Sequence, residues 1–472
     1  MNWARPVRCC VPTMVAALAV AVWACPPAWG IEPPQVDATV QPPSGAPGPV
    51  ESMEQRGECV TAGVLAGTDP GATTLSQEMV NLAAAWQFSR GENQTVAVID
   101  TGVRPGPRLP NVEGGGDYLG STDGLTDCDG RGTLIAGIIA GQPGDDGFAG
   151  VAPAARLVSI RATSGKFSPR SGGAGDPLLA RISLEIEELS RAIVHAADLG
   201  ARVITVATAI CLPADRSIDQ SGLGAALRYA VIEKDAVVVA AAGDVGQIGS
   251  QSGSTCESNP ITDLSHPGDP RNWAGVRSIS TPSWWQPYVL SVGSLATDGE
   301  PSRFTMPGPW VGIAAPGENL VSVSNDDGGG LANGLPNDRK QLMPLTGTSY
   351  AAGYVSGVAA LVRSKYPDLT ALQVVQRITA TAHRGARAPS NVIGTGTLDP
   401  AAALTWSLPG GVAPGKPSVR SVEAPADPVP KDRTPMTVAF AGTAVLTVIV
   451  VAVCAVALIR ARRREESARC NK

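Results

Sequence analysis

The stretch "TVAVIDTGV", residues 95–103, decides the fold. An apolar run ends in an acid, Asp100, and a glycine turn. No polar residue alternates within the run, so both faces of this strand are expected to be covered, as in a parallel sheet. Working outward, "RLVSIRA" (156–162), "ARVITVATAI" (201–210), "AVVVAAAG" (236–243) and "YVLSVGS" (288–294) read as further strands. Helical patterns separate them. "GTLIAGIIAG" (132–141) reads as a tightly packed helix with small residues at close contacts. "RISLEIEELSRAIVHAADLG" (181–200) sets Ile182, Ile186, Leu189 and Ile193 on one helical face, and "GLGAALRYAVIEKD" (222–235) is a further helix. This alternation predicts an α/β domain with a parallel sheet and helices on both faces.

The ends of the chain read as addresses. Arg5 and Arg8, the apolar run "VPTMVAALAVAVWA" and the small residues of "PAWG" predict a signal peptide over 1–30. An N-terminal extension over 31–80 follows, proline-rich and extended as far as about Ser52. The α/β domain occupies 81–408, and a proline-rich linker 409–436. The uncharged run 437–459 is about long enough to cross a ~30 Å hydrocarbon core as a helix. The basic tail 460–472 begins with "RARRR", which the positive-inside rule places in the cytoplasm. The expected localisation is therefore the cell membrane, single-pass, with the main domain extracytoplasmic. Of 472 residues, the formal net charge is only −5. Outside the tail no basic stripe is visible, which argues against a nucleic-acid partner.

Outward placement predicts an oxidising compartment. Of nine cysteines, four lie outside the signal, span and tail: Cys59, Cys128, Cys211 and Cys256. An even number fits two disulfides, with three pairings open. Close Cys or His spacing is lacking, so no metal is expected. The polar segment "SGKFSPRSGGAGDP" (164–177) reads as an exposed, mobile surface insertion, with partner binding as the sharper alternative.

Chemistry is expected at the carboxyl ends of the strands. Asp100 is at such an end, although a turn-capping role suits it equally. Ser349, in "LTGTSYAAGYVSGVAALVRSKYP" (345–367), opens a helix packed with small residues. An N-cap serine is the plain reading, but Gly347 and Thr348 also allow the close backbone approach that a substrate oxygen needs.

In this order, "VAVIDTGV", "DGRGTLIAGIIAG" and "GTSYAAGYVSGVAALV" resemble the Asp, His and Ser motifs of the subtilisin-like serine peptidases. The whole layout, with "DCDG", "GIAAPGENL" and "GTLDPAAAL", resembles the mycosins, the membrane-anchored proteases of type VII secretion systems. The resemblance implies a subtilisin-like sheet, pairings Cys59–Cys128 and Cys211–Cys256, and no cofactor. The implied partners are a type VII secretion membrane complex and a secreted protein substrate. The implied catalytic positions are Asp100, Arg131 and Ser349, with Asp244 at the oxyanion position.

Two of these positions depart from the family. Arg131 stands where the motif has His, and Asp244 where it has Asn. Gly353 replaces the usual Pro of the serine motif, a change local to its helix. Arginine has no acceptor lone pair and stays protonated, so it cannot take the serine proton. In subtilisin, loss of the histidine costs about 2 × 10⁶-fold in kcat. From a turnover of roughly 10 s⁻¹, less than about one event per day remains. An ionised Asp244 has no proton to donate to an oxyanion, and such a donor is worth about 10²–10³-fold.

No other base is evident. His195 is mid-helix, His266 is in a loop, His383 ends the last helix, and Lys365 is at the far end of the Ser349 helix. Arg131 is instead expected to pair with Asp100, with Asp244 as a further candidate partner, as a charge-balanced plug beneath Ser349. The expected function is a pseudopeptidase acting as a structural subunit. The alternatives are an active endopeptidase with an unrecognised base and a peptide-binding module that does not cleave.

Overall fold

The computed structural model describes residues 31–170, 176–246, 256–263, 268–383, 389–408 and 434–469. The expected signal peptide, the linker as far as residue 433, His266 and the last three residues lie outside them. The chain divides into two compact units, residues 1–412 and 413–472.

The first unit is built on seven parallel strands: β1 (Thr95–Asp100), β2 (Val112–Asp117), β3 (Arg156–Arg161), β4 (Val203–Val206), β5 (Val237–Ala241), β6 (Val289–Leu295) and β7 (Val311–Pro316). Their order across the sheet is β7-β6-β5-β4-β1-β3-β2. The chain starts at β1, builds outward to β2 and back to β3, then crosses β1 to build the other half. The reversal falls between β1 and β4, and a crevice is expected at their carboxyl ends. Every residue of β1, β4, β5 and β6 is buried, which explains their mainly apolar composition.

Four helices matter for the site: α1 (Arg131–Ala140), α2 (Pro177–Asp198), α3 (Ser221–Arg228) and α4 (Thr348–Lys365). In α2, Ile182, Ile186, Leu189 and Ile193 are all buried, as their spacing predicts. Helix α3 ends at Arg228 and continues as a single wide turn, Tyr229–Glu233. Helices α1 and α4 are buried almost all round, and they touch where Gly353 of α4 faces Ile135 and Ile138 of α1. A Cβ at Gly353 would lie 3.3 Å from Ile138 Cγ2, a tight contact, and nothing in the structure explains the missing proline. At Gly132 a Cβ would collide with the Gly102 carbonyl just beyond β1.

The N-terminal extension is tied along its length to this unit. The Gly48 amide donates to the Asp117 carbonyl at 2.9 Å, and Met53–Gln55 pairs antiparallel with Phe167–Pro169. The segment expected as a mobile insertion is therefore part of a two-stranded sheet, at least over Phe167–Pro169. Arg161 anchors it from below: its guanidinium is 4.4 Å from the Phe167 ring and bonds Asp117 at 3.2 Å. Cys59 is joined to Cys128 and Cys211 to Cys256.

The described residues of the second unit form one helix, α5 (Thr434–Arg469), whose segment Phe440–Ala457 is long and apolar enough to cross a membrane. The helix runs on through Arg460 into the basic tail.

Candidate active site

Asp100 is the last residue of β1 and is fully buried. Arg131 is the first residue of α1. Its Nε is 3.0 and 3.1 Å from the two Asp100 oxygens, and its Nη2 is 2.5 Å from Oδ1. Burial pushes the Asp100 carboxyl above the ordinary carboxylate range, and the Arg131 charge and hydrogen bonds pull it back part of the way. Burial likewise disfavours the guanidinium charge, but Asp100, with Asp129 behind it, more than offsets this and holds Arg131 more firmly protonated than usual. The pair is thus a salt bridge between a permanent cation and a carboxylate that needs it.

The start of α1 is fixed by a residue that sequence reading missed. Asp127 Oδ1 accepts from the Thr101 hydroxyl at 2.8 Å and the Gly130 amide at 2.8 Å. Its Oδ2 accepts from the Thr133 amide at 2.8 Å and the Thr133 hydroxyl at 2.6 Å. Thr101 in turn accepts the Gly132 amide at 2.9 Å. Burial raises the Asp127 carboxyl to about 6, against these hydrogen bonds. The signal was present in "DCDGRGT": an acid four residues ahead of the helix can take its free amides.

Asn325 extends the network to the extension. It donates to the Val60 carbonyl at 3.0 Å and the Asp127 carbonyl at 3.2 Å, and accepts the Ala62 amide at 2.9 Å.

Ser349 is the second residue of α4 and is 8% exposed. Among the described residues its hydroxyl makes no hydrogen bond. Asp244, just past β5, accepts the Thr348 amide at 3.0 Å. It makes no ion pair with Arg131 among the described residues, so the expectation that it might join the pair is corrected. The Thr348 amide is closer and needs a partner at the helix start. Burial raises the Asp244 carboxyl to about 6; the Thr348 hydrogen bonds and the Arg131 charge oppose that rise.

Arg131, Asp244 and Ser349 line one cavity of about 530 Å³. Its other walls include Val60 of the extension, Lys166, Tyr350, Met343 and the turn carrying Asn337 to Arg339. None of these residues was a sequence-based candidate.

The described histidines are elsewhere. His195 in α2 packs beside Gly45 of the extension, where burial lowers its pKa. His383 Nε2 is 2.7 Å from Asp399. Lys365 lies over the Phe88 ring at 4.0 Å. Lys166 does reach the cavity, but it is only part-buried, and a lysine base depends on desolvation.

A residue opening α1, backed by a buried Asp at the end of the central strand, and a serine opening α4 converge on one cavity. Comparison with known proteins gives this arrangement its family. The subtilase family model matches residues 91–396. Mycosin-3 of Mycobacterium tuberculosis (strain ATCC 25618 / H37Rv) is 65% identical over 463 residues, 97% of this chain and 99% of the relative. The chain belongs to the mycosins of the subtilase family. Among solved structures, the MycP3 protease from the type VII (ESX-3) secretion system is 65% identical with a TM-score of 0.77, covering 80% of this chain and all of that one. A chain of an intact ESX-5 inner membrane complex is 44% identical with a TM-score of 0.77, covering 90% of this mycosin and all of that chain.

Proposed function

We propose that this mycosin is a catalytically impaired pseudopeptidase that serves as a structural subunit of a type VII secretion membrane complex. One observation carries the reading: the Arg131 guanidinium occupies the partner position of Asp100, where subtilase chemistry requires an imidazole. A group with no acceptor lone pair leaves Ser349 protonated and a poor nucleophile. Asp244 compounds the loss, because its ionised form repels an oxyanion. The membrane complex enters from the ESX-5 inner membrane complex, in which a chain similar to this one over 90% of its length is found. In the same reading α5 anchors the protein, with Arg460–Arg464 on the cytoplasmic side and the subtilase domain outside.

The test has two arms. The full-length chain in detergent is incubated with a peptide library and the products are read by mass spectrometry. The expected result is no cleavage by the natural chain and gain of cleavage in Arg131→His with Asp244→Asn. Steady cleavage by the natural chain, lost in Ser349→Ala, overturns the reading. In cells lacking the gene, Ser349→Ala is expected to restore the secretion complex as fully as the natural sequence. Failure to restore it removes the structural role.

A further inference from the structure

We infer that the former catalytic centre is a receptor for the free C-terminal carboxylate of a polypeptide, held by the Ser349 hydroxyl, the Ser349 amide and the unpaired guanidinium nitrogen of Arg131. The inference rests on the non-cleaving reading above and names the ligand that site would take.

Three observations converge. Ser349 is 8% exposed as a residue and lines the cavity, and its hydroxyl has no hydrogen-bond partner among the described residues. A hydroxyl that faces a cavity with no protein partner keeps its donor and acceptor capacity for a polar ligand. Arg131 commits Nε and Nη2 to Asp100, and Nη1 makes no hydrogen bond among the described residues. Its guanidinium is on the cavity wall, and a guanidinium matches carboxylate geometry. Third, α4 begins here: its first-turn amides have no intrahelical acceptors, and Thr348 already gives its own to one carboxylate, Asp244. The Ser349 amide is the next donor in line.

The shape favours a chain end over a small free anion. Thr163 lines both this cavity and a second, smaller one. Thr208 and Ala209, just past β4, wall the second space. At about 530 Å³ the main cavity has more room than a small anion fills, which suits a peptide with its last residue at Arg131.

Charge sets the conditions. Asp100 neutralises Arg131, so an incoming carboxylate meets Asp244, which bonds the amide preceding that of Ser349. Asp244 faces the Thr348 amide and hydroxyl, the Arg131 charge and Tyr350, and shares the cavity wall with Asp129, Lys166, Asp338 and Arg339. Two carboxylates this close bind best when they share one proton. Burial already raises Asp244 to about 6. Binding therefore takes up a proton and weakens as pH rises through that value.

The test uses N-acetyl-tetraalanine as the free acid and as the C-terminal amide, titrated calorimetrically into the full-length chain in detergent. The free acid is expected to bind about tenfold tighter than the amide at about pH 5, with the preference shrinking severalfold by about pH 7.5. Asp244→Asn should keep the preference and remove its pH dependence. Arg131→Gln combined with Asp100→Asn, which leaves no orphan charge, should abolish the preference. Equal affinity for acid and amide, or no binding of the acid at millimolar concentration, overturns the inference while leaving the non-cleaving reading intact. Hydrolysis products in the same samples overturn that reading instead.

Discussion

Arg131 and Asp100 are clamped together, with Nε and Nη2 of one reaching both oxygens of the other at 2.5–3.1 Å. Asp100 is 0% exposed. In a subtilase the same carboxylate orients a histidine and supports its charge in the transition state. Here it supports a charge that is always present. The ionic character of the centre is kept, and the capacity to move a proton is lost.

Arg131→Ala strands the Asp100 carboxylate without a cation. The cost is expected to be about 3–5 kcal/mol, read from urea unfolding of the full-length chain. Adding Asp100→Asn should recover most of it, because no charge then remains to be paired. A single Arg131→Ala variant as stable as the natural chain would show that the clamp does not hold the site together.

Asp244 should make stability fall with pH. Its folded value, about 6, lies above the ordinary carboxylate value of 3.8. A raised acid contributes its full stability below about pH 4 and loses it as pH climbs through about 6. Asp244→Asn keeps the acceptor for the Thr348 amide and removes the charge. It is expected to stabilise the protein by roughly 1–3 kcal/mol at about pH 7.5 and by little at about pH 4. Thermal melts of both proteins at the two pH values check the difference.

The Cys59–Cys128 bridge spans 69 residues and joins the extension to the loop that starts α1. Replacing both cysteines with serine is expected to cost roughly 4 kcal/mol by loop entropy. Limited proteolysis should then cut the extension first, since it loses its covalent tie beside Val60 while the main sheet stays intact.

Gly132→Ala brings a methyl group against the Gly102 carbonyl. Overpacking of this kind typically costs about 1–3 kcal/mol, and the displaced first turn of α1 carries Arg131 with it. The prediction is a lower urea midpoint. An unchanged midpoint would show that the turn can shift freely.

The legible parts of the fold were those with strong periodicity. β1, β3, β5 and α2 came from mainly apolar runs or one apolar helical face. β2 was not legible: "VEGGGD" carries three glycines and an acid at its end, which suits a strand poorly. It forms because β3 supplies a pairing edge and Arg161 holds Asp117. β7, "VGIAAP", was likewise missed, with a glycine inside and a proline at its end. "ARVITVATAI" read as one strand but breaks after Val206, and Ile210–Pro213 turns away to pair with Ser278–Thr281. At the site, the signs of three charges sufficed to suggest Arg131 on Asp100. They could not show that Asp244 would bond an amide instead, since that depends on where α4 begins. The walls formed by Val60, Lys166 and the 337–339 turn come from distant parts of the chain, joined only by the wrapping of the extension.

The account stands on Ser349 being unactivated. A fluorophosphonate probe, which reacts with activated serine hydroxyls, tests this directly on the full-length chain in detergent at neutral pH. The account predicts no labelling of Ser349 in the natural protein and labelling once Arg131→His and Asp244→Asn are combined. Rapid, stoichiometric labelling of Ser349 in the natural protein would contradict it.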